Sequence, residues 1–174
     1  RSANSPAQVA TRERTLAGAV LGLAGPGRKI AGLMTVTVMR PDDMADRLLN
    51  RDKHPQWQGE RTRMVYAWPT AEALWAKYSE EWRTGLRSER GIVAATEFYR
   101  VNREAMDGGA VVAWPERHNP DELSALQHAM NLRLERGDAA FWSEYQNEPL
   151  PDDAAGDKDR LTAEQIAAKV NGHD

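Results

Sequence analysis

The chain has 174 residues, 41% apolar and 28% charged, proportions that suit one domain able to bury ~70% of its unfolded surface. A formal charge of −3 gives no overall pull toward nucleic acid or an anionic membrane. The absence of cysteine excludes disulfides, thiolate metal sites and a cysteine nucleophile, and no apolar run approaches the ~20 residues of a membrane span.

Ser5-Pro6-Ala7-Gln8 has the form of a capping box with Pro at the first helical position, predicting a helix toward Leu23 that Gly25-Pro26-Gly27 ends. Ala31 to Met39 is a run of apolar, Gly and β-branched residues and predicts a buried strand. Pro41 then suits the first position of a helix, with Asp42 and Asp43 in its first turn, where the helix dipole favours negative charge. Met44, Leu48 and Leu49 continue it at helical spacing. A strand that feeds a helix in this way marks the sheet edge at which open α/β folds bind ligands.

Arg51 to Arg61 is polar and reads as a loop, and Arg63 to Trp68 as a short strand closed by Pro69-Thr70. Leu74, Trp75, Tyr78, Trp82 and Leu86 recur as one helical stripe, each worth roughly 1.5–3 kcal/mol when buried. A third helix carries Ala95, Phe98, Tyr99, Asn102, Ala105 and Met106, and Ala110 to Trp114 suggests an edge strand. Asn119-Pro120-Asp121-Glu122 resembles a helix cap before Leu123, Leu126, Met130 and Leu134. Asp138 to Tyr145 predicts one more short helix. Residues 149 to 160 read as a Pro-, Asp- and Gly-rich linker, and Thr162 to Gln165 as a capping box before a helix on Ile166 and Val170. From Glu148 to Asp174 seven acids face Lys158, Arg160 and Lys169, so the tail carries −4 and the remainder about +1. The expected architecture is helix-dominated, with two or three strands.

Several motifs invite a chemical reading. Gly22 to Lys29 looks like a phosphate loop, but Arg28 and Lys29 stand where Lys and a magnesium-binding hydroxyl are needed, and a helix rather than a strand precedes it. It reads as a helix stop. Arg47, Arg51, Lys53, His54, Arg61 and Arg63 surround Trp57, a set able to contact phosphates and stack on bases, although Asp46, Asp52 and Glu60 dilute it. Thr35 and Thr37 alternate with Val36 and Val38 and so share one face of the expected strand. His54, His118, His128 and His173 are far apart without ligand spacing. The acids Asp152, Asp153, Asp157 and Asp159 read as a solvated linker.

The segments GLAGPGRKIAG, TVTVMRPDDMADRLL, HPQWQGERTRMVYAWPT, ATEFYRVNREAMDGGAVVAWPER and AFWSEYQNEPLPDD, with Leu74-Trp75 and Lys77-Tyr78, resemble the large subunit of tailed-phage terminases. That subunit is the ATP-driven motor that packages and cuts double-stranded DNA. The resemblance implies an α/β fold, a partial phosphate-loop ATPase. Residues 1–148 would be the back half of the ATPase domain, and 149–174 an acidic linker toward an RNase H-like, metal-dependent nuclease. It implies that Thr37, Thr35 and Arg40 belong to the motif that senses the γ-phosphate and couples hydrolysis to movement, although Met39-Arg40 before Pro41 departs from the commoner Thr-Thr-Pro form. It also implies ATP and Mg2+ in the intact protein but none for this chain alone, which lacks the phosphate loop and the nuclease carboxylates. The implied partners are double-stranded DNA, a portal protein and a small terminase subunit, in a homo-oligomeric ring at the procapsid portal in the host cytoplasm. The chain starts at Arg1 and is expected to be a piece of something longer. Two rival readings stay open: a non-enzymatic helical interaction module built on the Trp-rich stripe, and a small DNA-binding protein that uses the Arg47 to Arg63 loop, with Arg51, Lys53, Arg61 and Arg63 as its contacts.

Overall fold

The computed structural model describes residues 5 to 151. The expected helix on Ile166 and Val170, the linker beyond Pro151 and its acidic run lie outside these residues. The described chain is dominated by helices, with one two-stranded antiparallel sheet.

Helix α1 spans Pro6–Thr15 and runs on as a π turn, Leu16–Val20. Ser5 holds the N-cap position, but its side chain accepts no capping bond, so the expected box does not close. Gly25 and Gly27 take left-handed φ values of 71° and 78° on either side of Pro26, the turn that glycine permits without strain.

The expected strand from Ala31 to Met39 does not form. The backbone of residues 28–37 makes no hydrogen bond among the described residues, and Leu33, at 97% exposed, lies open to solvent with Ile30, Val36 and Met39. Strand pattern alone does not make a strand. The ladder requires a paired strand, and among the described residues none pairs with this run.

Helix α2, Met44–Leu49, starts three residues later than Pro41 predicted. Asp43 is its N-cap: Oδ1 accepts the Asp46 N–H at 2.9 Å, while Oδ2 accepts those of Met39 at 2.8 Å and Arg40 at 3.3 Å. A carboxylate that satisfies three amides defines the start better than proline does, and Asp42 is turned to a φ of 60° ahead of it.

Strand β1, Val65–Ala67, pairs antiparallel with β2, Val111–Val112, in the register Val65 to Val112 and Ala67 to Val111, with an irregularity between. Helices α3, Glu72–Arg87, and α4, Val93–Asp107, pack against each other. Their joint core holds Trp75, Tyr78, Ala95, Tyr99 and Met106, with Leu126 from the next helix. The Trp75 Nε1–H donates to the Met106 carbonyl at 3.0 Å, so this buried indole is satisfied. Leu86, expected in the stripe, is exposed. Ala105 is exposed too.

Helix α5 spans Ala125–Arg136, not the earlier start that Asn119-Pro120 suggested. Ser124 caps it, its Oγ accepting the Gln127 N–H at 3.1 Å, and Gln127 Oε1 reaches back to the Leu123 N–H at 2.7 Å. Glu122, expected inside the helix, instead accepts the Asn119 N–H at 2.7 Å in a turn before it. Helix α6, Asp138–Glu144, follows at Gly137. Phe141 on it joins Met64, Val65 and Ala129 in a second core cluster under the sheet.

Candidate functional site

Of the residues singled out for phosphate sensing, Thr35 and Thr37 lie at the end of the unpaired segment and Arg40 between it and α2. Thr35 and Thr37 are exposed, and Arg40 is half-buried. Val38 beside them is 1% exposed, and its N–H donates to Asn147 Oδ1 at 3.1 Å. Thr37 therefore stands at a boundary. The chain before it has no backbone anchor among the described residues, and the chain after it is fixed by Asn147, by burial and by Asp43.

Behind this segment a groove of about 290 Å3 is lined by Asp42, Asp46, Arg47, Asn50, Lys53 and Arg61. Arg47 donates to the Asp42 carbonyl at 2.9 Å and to its carboxylate at 2.6 Å. That hydrogen bond holds the Asp42 carboxyl below its usual range and raises the Arg47 guanidinium. Arg61 forms an ion pair with Asp46 and donates to the Asn147 carbonyl at 2.8 Å. Arg51 and Lys53 are exposed on the loop after α2, where Asn50 Oδ1 accepts the Asp52 and Lys53 amides. Of the four residues named for nucleic-acid contact, Lys53 and Arg61 share this groove. Arg63 points elsewhere, into an ion pair with Glu148.

Tyr145 to Glu148 escaped the sequence reading as a functional group. The Tyr145 carbonyl accepts the Met64 N–H at 3.0 Å. Gln146, 1% exposed, accepts the Val65 N–H at 2.8 Å and donates to the Val65 carbonyl at 2.9 Å. Asn147 Nδ2 donates to the Thr62 carbonyl at 2.9 Å. Adjacent amides after an aromatic helix were the available signal, but nothing local tells which backbone they meet.

A second polar group lies inside the helical core. Tyr78 donates to Asn131 Oδ1 at 2.7 Å, Asn131 Nδ2 donates to Glu122 Oε1 at 2.8 Å, and Gln127 Nε2 donates to Tyr78 and Thr96, each at 3.0 Å. His128 Nδ1 lies 2.7 Å from Glu122 Oε2 but is not aimed along a hydrogen bond. Burial pushes the Tyr78 hydroxyl up to about 12, and burial, with a bond to Asp107, raises that of Tyr99. Apart from His128 Nδ1, these groups satisfy one another and specify the packing. A wider groove of about 720 Å3 between α3, α5 and α6 is lined by Trp68, Trp75, Arg83, Arg133 and Trp142. Arg133 stands 5.3 Å over the Trp68 ring and pairs with Asp138, so its charge is already matched.

Gly22 to Lys29 is a turn after a helix, Pro26 offers no amide, and no group of three His, Asp or Glu able to hold a metal occurs among the described residues. No described helix is long and apolar enough to cross a membrane. In comparisons with known proteins, no family model, no curated protein and no solved structure matches the chain.

Proposed function

We propose that the chain is part of the large subunit of a tailed-phage terminase, the ATP-driven motor that moves and cuts double-stranded DNA during packaging. In this reading residues 1–148 are the back half of a phosphate-loop ATPase domain and 149–174 lead toward the nuclease. The run of segments similar to that family supports it. So does one structural observation: Ile30 to Met39 has the apolar, β-branched pattern of a strand, yet its backbone from residue 30 to 37 is unpaired, and Ile30, Leu33, Val36 and Met39 are exposed. Strands of a parallel sheet, buried on both faces, read as near-continuous apolar runs of this kind. The front half of an ATPase domain would supply the neighbouring strand.

ATP and Mg2+ would bind through residues of that front half. The contribution of this chain is Thr37, with Thr35 and Arg40, at the strand end where hydrolysis is sensed. DNA, the portal protein and the small subunit are the partners this reading entails, with the motor working as a ring.

The coding DNA on both sides of this reading frame tests the proposal. Upstream, GxxxxGK[ST] after a strand and then an apolar strand ending in two acids are expected. Downstream, an apolar strand bearing an Asp should open the nuclease. A start codon at Arg1, a stop after Asp174 and neither motif nearby would replace the motor with a free-standing interaction module.

A further inference from the structure

We infer that Asn147 is a positioning residue that sets the orientation of Thr37. The inference rests on the reading of residues 30–40 as the coupling segment. The peptide unit between Thr37 and Val38 is planar, so the Val38 N–H and the Thr37 carbonyl turn together. By accepting that N–H at 3.1 Å, Asn147 Oδ1 fixes the plane and with it the backbone dihedral that aims Thr37. No other backbone hydrogen bond reaches residues 28–37 among the described residues, so this is the nearest polar anchor to the threonine.

Asn147 is itself held by two further bonds, one of them to an arginine that is anchored in turn. Its Nδ2 donates to Thr62, its carbonyl accepts from Arg61, and Arg61 pairs with Asp46 on α2. Its φ of 52° is a left-handed value that asparagine tolerates better than most residues. On one side Gln146 grips both backbone groups of Val65, and on the other Glu148 pairs with Arg63, just before the chain runs on to Pro149. The segment that leads to Pro149 is therefore joined to the Thr37–Val38 peptide through one side chain. Movement of the nuclease side of the protein and the phosphate-sensing threonine are mechanically tied at this point.

The test uses amide hydrogen exchange on the full chain and the ratio of ATP hydrolysed to DNA moved in the intact protein. Asn147→Gly keeps the left-handed backbone and removes both side-chain bonds. Asn147→Asp keeps the acceptor for Val38 and loses the donor to Thr62. In Asn147→Gly, Val38 exchange should rise roughly five- to tenfold, the size set by one hydrogen bond, while Met39, held by Asp43, stays as it was. Asn147→Asp should keep Val38 protected. In the motor, Asn147→Gly should raise the ATP used per base pair, and Asn147→Asp should restore it. Unchanged Val38 exchange in Asn147→Gly overturns the tie. Released Val38 with an unchanged ratio in a working motor overturns the positioning role. An intact protein without DNA-dependent ATPase activity sinks the terminase reading instead, and the exchange result still decides the tie.

Discussion

Gln146 and Val65 are 81 positions apart, yet the side-chain amide of the first bonds both backbone groups of the second, at 2.8 and 2.9 Å. The glutamine takes the place of a neighbouring strand along the outer edge of β1. A sheet of two short strands has too little pairing to persist alone, and this contact with the Phe141 cluster gives it a third side.

Removal of that amide should be costly. Gln146→Ala leaves a buried N–H and a buried carbonyl without partners, each worth about 1–3 kcal/mol. A loss of about 2–4 kcal/mol in urea denaturation is expected, against almost none for Gln58→Ala, whose exposed side chain bonds only the Pro55 carbonyl. Equal, small effects would show that the glutamine contact does not hold the edge.

Alkaline pH should weaken the helical core through Tyr78. Its folded pKa of about 12 lies above the ordinary 10.0, so the folded chain keeps a proton that the unfolded chain gives up. The contribution is present in full below pH 10 and is lost as pH rises through about 12. Melting temperature should therefore fall between these values, with a shallower fall in Tyr78→Phe. The phenylalanine variant should also be less stable at neutral pH by about 1–3 kcal/mol, because Asn131 and Gln127 lose the hydroxyl between them. A parallel alkaline fall in both proteins would assign it to other groups.

Gly85 should tolerate no side chain. It is buried at the end of α3, where a Cβ would stand 2.1 Å from the Gly91 carbonyl oxygen, and Gly91 is backbone held at a φ of 62°. Gly85→Ala must push the α3–α4 turn away, at an expected cost of about 1–3 kcal/mol. Gly18→Ala, where a Cβ meets nothing within 4 Å, should be neutral or slightly stabilising. Comparable midpoints for the two variants in chemical denaturation would contradict this reading of the turn.

Local chemistry made α3, α4 and α6 legible, since a 3.6-residue stripe such as Trp75, Tyr78 and Trp82 needs no knowledge of its partner. β1 was legible as a short apolar run between a polar loop and Pro69, though its pairing with β2 was not. The start of α5 was not, because two cap-like sequences compete there. The local bond from the Asn119 N–H to Glu122 forms as a cap would have it, but the helix starts at Ser124, with the other Glu122 oxygen bonded to Asn131. The run from Ala31 to Met39 has a strand's pattern but forms no strand in the described chain, because a strand is a relation between segments and pattern reports only one of them. Asn147 was beyond reach: its bonds to Val38 and Thr62 span 109 and 85 positions. Arg61 and Arg63 were recognisable as cations, but their pairing with Asp46 and Glu148 was not.

The claim at the centre of this account is that Thr37 senses hydrolysis at the end of a strand completed by the rest of an ATPase domain. Thr37→Ala in the intact protein tests it most directly, with nucleotide binding, ATP hydrolysis and DNA translocation measured on the same preparation. Nucleotide binding should be retained while hydrolysis no longer drives translocation. Packaging at the normal rate in Thr37→Ala would contradict the claim.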